Sequence, residues 1–176
     1  MKFRLEDIPW EGREVESEQD PGWLDERLAR EERKPFRLLG PVRIHLKLSR
    51  SGRTVLAEIR IRAEAEFSCA RCLDRFPSVL SSVNKATLKP QPQLSSDQKE
   101  ELGRDELETE FYEGDEIDLT PILQDQLLLT LPPQSVCRED CRGLCQRCGQ
   151  NMNRGTCQCA NQEIDPRLEP LKKFQV

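Results

Sequence analysis

The sequence contains one histidine, His45, and only 5% aromatic residues. A lone histidine limits nucleophilic catalysis, since Cys–His and Ser–His–Asp arrangements both need an imidazole held as base. His45 lies in phase with Arg43 and Lys47, so it reads as a surface residue on the wet face of a strand. There is no Gly-rich phosphate loop and no Gly-x-Ser-x-Gly elbow. No apolar run approaches the roughly 18 residues of a membrane span. The longest apolar-rich stretch, 119–131, is interrupted by Gln124, Asp125 and Gln126. Residues 1–10 have no apolar core, so no secretory signal is expected. A cytoplasmic chain keeps its thiols reduced unless metal holds them. The shortage of aromatics implies a modest aliphatic core, sufficient in 176 residues for one domain with an appended metal module.

Cysteine is abundant instead. Six of the eight cysteines fall between Cys137 and Cys159, and the other two form Cys69-Ala-Arg-Cys72. Cys145-Gln-Arg-Cys148-Gly149 has the shape of a metal knuckle, in which two thiolates grip one ion while backbone N–H groups turn toward the sulfurs. Zinc is the favoured ion, because structural zinc takes four thiolates in a tetrahedron and asks nothing of redox chemistry. An iron–sulfur cluster and disulfides are the alternatives. Cys145, Cys148, Cys157 and Cys159 make one expected site, since short loops close cheaply. A second would join Cys69 and Cys72 to Cys137 and Cys141. A zinc ribbon pairing Cys69 and Cys72 with Cys145 and Cys148 is a third arrangement.

Two runs alternate with period two. Val42, Ile44, Leu46 and Leu48 form one, and Val55 through Phe67 at every second position form the other. Such alternation marks strands with one buried and one wet face. A tight turn at 50–53 joins them. Residues 76–88 can return as a third strand, with Pro77 near an edge. Cys69 and Cys72 would then sit at an exposed hairpin tip, free to meet a partner. Another short strand is expected around Phe111. Asp118 is a candidate N-cap for a helix with Pro121 in its first turn, and Ile117 can staple onto Ile122. Leu119, Ile122, Leu123, Leu127 and Leu131 recur at helical spacing, widened by Leu128 and Leu129, as a core stripe. A short helix starting near Asp20 should turn Trp23, Leu24 and Leu28 inward.

Charge is uneven. Residues 97–118 hold eleven Asp or Glu against Lys99 and Arg104, a net of −9. With −5 for the whole chain, the remainder carries +4. A mildly basic body suits RNA, and an acidic arm suits a basic protein. The plainer reading of 97–118 is a solvated, mobile loop. Carboxylates on such a loop are poorly held for acid–base catalysis. Cys69-x-x-Cys72 lies between antiparallel strands and not at the start of a helix, which disfavours thioredoxin-like chemistry. The chain therefore reads as a non-enzyme.

The expected fold is α+β, an antiparallel β-sheet packed by a helix, with a C-terminal cysteine-rich zinc-binding segment. The expected division is a polar arm with a short helix (1–35), an α+β body (36–136) carrying the acidic stretch (97–118), a zinc-binding segment (137–160) and a tail (161–176) with a turn or two around Leu168 and Leu171. Four thiolates on one zinc leave a net charge near −2. Arg142, Arg147 and Arg154 interleave the C-terminal cysteines, and Arg71 and Arg75 flank the upstream pair. They either neutralise the sulfurs or form a basic rim for RNA phosphate.

The order of these features, from Cys69-Ala-Arg-Cys72 through Asp118-Leu-Thr-Pro-Ile to Cys137-x3-Cys141-Arg-Gly-Leu-Cys145-x2-Cys148-Gly-Gln-Asn-Met-Asn and Cys157-x-Cys159, resembles the bacterial YceD family, the large ribosomal RNA subunit accumulation proteins. The resemblance runs from about residue 36 to 160. Gln146 stands where the family commonly has Pro, and Met152 where it commonly has Leu. Some branches of the family lack the C-terminal cysteines, so a function shared by all cannot depend wholly on that metal site. The resemblance implies a non-enzymatic role in accumulation of 23S rRNA and large-subunit assembly, with a link to a small basic large-subunit ribosomal protein. The rival reading is a zinc-containing adaptor that binds a basic ribosomal protein without touching RNA.

Overall fold

The computed structural model describes residues 1–24, 36–91 and 109–159. Eight strands, two single 3-10 turns (Leu5–Asp7 and Pro21–Leu24) and one α-helix make up the regular structure of these residues. The strands are β1 (Lys2–Arg4), β2 (Arg13–Gln19), β3 (Phe36–Leu38), β4 (Val42–Ser51), β5 (Thr54–Ser68), β6 (Arg75–Pro90), β7 (Thr109–Tyr112) and β8 (Glu116–Asp118). The helix, α1, is Thr120–Leu129.

The main sheet has the order β2-β4-β5-β6-β7. Its centre is the antiparallel meander β4-β5-β6, whose two hairpins follow the alternation in the sequence. β5 is long enough to need two partners on one edge: β4 pairs with 54–62, and β3 pairs with 65–67. Val55, Ala57, Ile59, Ile61, Ala63, Ala65 and Phe67 of β5 are all buried. They face the same core as Val42, Ile44, Leu46 and Leu48 of β4. α1 closes that face, with its N-cap Leu119 and its own Leu123 and Leu127 buried there. Burying one such leucine contributes about 1.5–3 kcal/mol.

Several features differ from the sequence reading. The sheet is mixed, because β7 joins β6 in parallel. The N-terminal stretch read as a polar arm supplies an edge strand, β2, on β4, and a strand, β1, that pairs with β8. β2 was hidden because only Val15 breaks its run of polar residues, and an edge strand needs only one side of its backbone paired. Part of the acidic stretch, 109–118, forms β7 and β8, while 97–108 lies outside the described residues. Asp118 ends β8 and is not the N-cap of the helix, which is Leu119, although its Oδ1 still accepts from Thr120 N at 2.9 Å. Leu129 is 85% exposed and no part of the core stripe. The helix expected from Asp20 begins as the 3-10 turn with Leu24 buried, and Leu28 and the 161–176 tail lie outside the described residues. Among the described residues, no helix is long and apolar enough to cross a membrane.

Candidate metal centres

Both Cys-x-x-Cys segments fold into the same loop. In the first, Cys69 N donates to Asp74 O at 2.9 Å, and Leu73 N donates to Cys69 O at 2.9 Å. In the second, Cys145 N donates to Gln150 O at 2.8 Å, and Gly149 N to Cys145 O at 2.9 Å. The residue after the second cysteine has positive φ in both copies, +62° at Leu73 and +73° at Gly149. That conformation is free for glycine. For a residue with a Cβ it costs about 1–2 kcal/mol. The Cys-x-x-Cys-Gly signal is thus legible in the second copy alone, and Leu73 conceals the first.

Each loop meets a second pair of cysteines. Cys69 Sγ lies 3.8 Å from Cys141 Sγ, and Cys72 Sγ lies 3.7 Å from Cys137 Sγ. The four sulfurs of this cluster all lie within 4.8 Å of one another, as do those of Cys145, Cys148, Cys157 and Cys159. A disulfide would need about 2.05 Å, and all eight cysteines are free thiols. A tetrahedral ion about 2.3 Å from each sulfur would set the sulfurs about 3.8 Å apart. The donor sets therefore fit four-thiolate coordination, and both clusters could hold a metal ion. The ribbon grouping of Cys69 and Cys72 with Cys145 and Cys148 is not the one formed.

The electrostatics of the thiols agree with this. Burial alone would raise the Cys69 thiol, but backbone N–H groups of Cys72, Cys137 and Arg71 outweigh it and lower the thiol to about 6. In the second cluster, the N–H groups of Cys148 and Arg147 lower Cys145 to about 6. One thiol in each cluster is pushed strongly the other way. Burial and then the neighbouring sulfurs push Cys137 up to about 12. Cys148 and then burial push Cys159 up to about 12. Four negative sulfurs so close together repel one another, and only a bound cation lets all of them ionise near neutral pH.

The chain after α1 is tied to the first loop by backbone contacts. Ala70 N donates to Ser135 O at 2.7 Å, and Leu144 N donates to Arg71 O at 3.1 Å. Gly143 makes this possible. Its φ is +72°, and a Cβ there would stand 3.0 Å from Arg71 O. Arg71 Nη1 donates to the carbonyls of Glu139 and Cys141, each at 3.1 Å. Asn153 is a further link that the sequence did not single out. Its Nδ2 donates to Cys141 Sγ at 3.3 Å, and its Oδ1 accepts from Arg142 N and from Arg138 Nη2. Asp74, at the end of the first loop, accepts from Asn151 Nδ2 at 2.8 Å and from Arg154 Nη2 at 2.9 Å, so it joins the two clusters.

The tip differs from its expected exposure. Cys69 and Cys72 do sit at a hairpin tip, but they are 0% and 3% exposed, because the segment 135–144 covers them. Arg71, Arg75 and Arg154, of the five arginines singled out from the sequence, are engaged within the protein. Arg71 holds the carbonyls just described, Arg75 pairs with Glu66 at 3.2 Å, and Arg154 pairs with Asp74. Arg142 and Arg147 are exposed beside the cysteine loops.

Comparison with known proteins adds a name to this arrangement. The chain is similar to "Large ribosomal RNA subunit accumulation protein YCED homolog 1, chloroplastic" of Arabidopsis thaliana, at 34% identity over 56 residues. It is similar to the protein of the same name in Zea mays, at 36% over 58 residues. The matched stretch is 32% of this chain in both cases, and only 17% and 20% of the relatives' lengths. No solved structure matches. A family model described as "Large ribosomal RNA subunit accumulation protein YceD" matches residues 57–175, which hold all eight cysteines. On that match, covering roughly two-thirds of its length, the chain belongs to the YceD family.

Proposed function

We propose that this protein is a non-enzymatic, cytoplasmic factor that promotes accumulation and processing of 23S rRNA and assembly of the large ribosomal subunit, acting on rRNA or a ribosomal precursor. The observation that carries this reading is the family match over 57–175. The cysteine clusters supply its chemistry: zinc held by Cys69, Cys72, Cys137 and Cys141, and a second zinc held by Cys145, Cys148, Cys157 and Cys159. Bound zinc would fix loops too short to bury a core of their own, a structural use of the metal. Arg71, Arg75 and Arg154 then serve the fold, while Arg142 and Arg147 offset the thiolate charge and exposed Arg142 faces phosphate.

The test is depletion of the protein in its host, followed by measurement of mature 23S rRNA against 16S rRNA. A selective fall in 23S rRNA is expected, and an unchanged ratio would sink the reading. Binding of purified protein to 23S rRNA at two salt concentrations separates direct contact from the adaptor alternative, because phosphate contacts weaken steeply with salt. Binding to a basic large-subunit ribosomal protein in the absence of any RNA affinity would favour the adaptor.

A further inference from the structure

On the solvent face of the main sheet, the register of β4 and β5 sets Arg43 directly opposite Arg62, and His45 directly opposite Arg60. Side chains opposed in this way have Cβ atoms about 4.5–5.5 Å apart, and like charges there destabilise the pairing. The next row shows the usual solution, with Lys47 opposite Glu58 and Glu58 also 3.1 Å from Lys85. One row thus sets two guanidinium groups side by side, and the next sets Arg60 beside an imidazole, with the carboxylates of both rows one strand away on β2. Glu18 meets Arg43 at 3.3 Å, and Glu14 lies 3.6 Å from His45. No ion pair within 4.0 Å engages Arg60 or Arg62 among the described residues. Both are exposed.

These residues line a groove of about 580 Å³ that crosses the sheet from β2 to β6. One side carries Glu16 and Glu18, and the other carries Ser81 and Val83 of β6. Val83 is 70% exposed, although it stands on a regular strand.

We propose that this groove binds the sugar–phosphate backbone of RNA, with Arg60 and Arg62 as the phosphate contacts. The inference rests on the rRNA reading above and assigns it a surface. Arg60 and Arg62 are alternate residues of one strand, about 6.6 Å apart along it. They offer a repeating pair of forks to a repeating anion and relieve their own repulsion when it binds. The β2 carboxylates repel phosphate and border the path, which confines the nucleic acid to the β5–β6 side. There Ser81 offers a hydroxyl and Val83 an apolar surface to ribose or base. The arrangement reads no sequence, since phosphate contacts position an RNA and base contacts specify it.

The experiment measures affinity of the full-length protein for a 23S rRNA transcript over a salt series. Three proteins are compared: wild type, Arg60→Gln/Arg62→Gln, and Arg4→Gln/Arg13→Gln, which removes the same charge away from the groove. The groove variant should bind at least tenfold more weakly, and its log–log salt slope should be shallower by about two, one for each lost phosphate contact. Its thermal midpoint should be unchanged or higher, because a repulsion has been removed. The control variant should bind like wild type. Unchanged affinity and slope in the groove variant, or an equal loss in the control, overturns the groove while leaving the rRNA reading intact. Failure of the wild-type protein to bind the transcript overturns direct rRNA contact itself, and the groove with it.

Discussion

Cys69, Cys72 and Cys141 are buried in the first cluster, whereas Cys148 and Cys159 of the second face solvent. The two clusters share a loop with the same hydrogen bonds and the same positive φ, and both gather four sulfurs within 4.8 Å. They differ in what they join. The first connects the β5–β6 hairpin to chain some 65 to 72 residues further on. The second closes a loop within Cys145 to Cys159. One set of ligands thus serves two tasks. A long-range cluster restrains the segment 137–141 relative to the sheet, and a local one restrains only its own loop.

The largest effect should follow from breaking the long-range cluster. Cys72→Ser removes one buried ligand and leaves three thiols crowded without a full donor set. We expect a loss of about 4 kcal/mol or more, seen as a lower urea midpoint for the whole chain. A loss below about 1 kcal/mol would show that the sheet does not depend on the clamp.

Cys148→Ser should act more locally, because the sheet has its own aliphatic core and 135–144 stays tied to the first loop. Amide exchange should rise over 145–159 and stay unchanged in β4, β5 and β6. Global unfolding by this one substitution would show that the cysteine-rich segment and the body are a single cooperative unit.

Metal analysis sharpens the same contrast. Anaerobically prepared protein should carry two zinc ions per chain, and Cys148→Ser protein one. A chelator should strip the exposed cluster first and the buried cluster only as the chain unfolds. Zinc content well below one per chain would falsify both sites, and release in one phase would remove the distinction between them.

The smallest effects test whether the two loops are equivalent. Leu73→Gly should stabilise the protein by about 1 kcal/mol, since leucine at φ +62° carries a strain that glycine lacks. Gly149→Ala should introduce a similar strain at φ +73°, although nothing stands within 4 Å of the added Cβ. Opposite signs for the two substitutions are the signature of a shared backbone. A destabilising Leu73→Gly would mean that the leucine side chain contributes more than its backbone costs.

What could be read from the chain by itself was whatever local spacing determines. The alternation at 42–48 and 55–67 announces two half-buried strands, because side chains on a strand face opposite sides with period two. The leucine stripe at 119–131 announces a helix, whose period is intrinsic to the backbone, and Cys145-x-x-Cys148-Gly149 announces a knuckle, whose ligand spacing is local. Long-range pairing was a different matter. Cys69 and Cys72 meet Cys137 and Cys141, the grouping that follows once the four nearby cysteines are set together, yet loop closure costs grow only slowly with length, so spacing favoured it over the ribbon only weakly. Leu73 at positive φ, β2 on the edge of β4, and parallel β7 were likewise settled by tertiary packing against weak local preference. The same holds for the groove. Arg43, Arg60 and Arg62 look like ordinary wet-face residues in sequence, and only the register of β4 on β5 opposes them, because a strand's own pattern fixes which face a side chain takes and not which neighbour it meets.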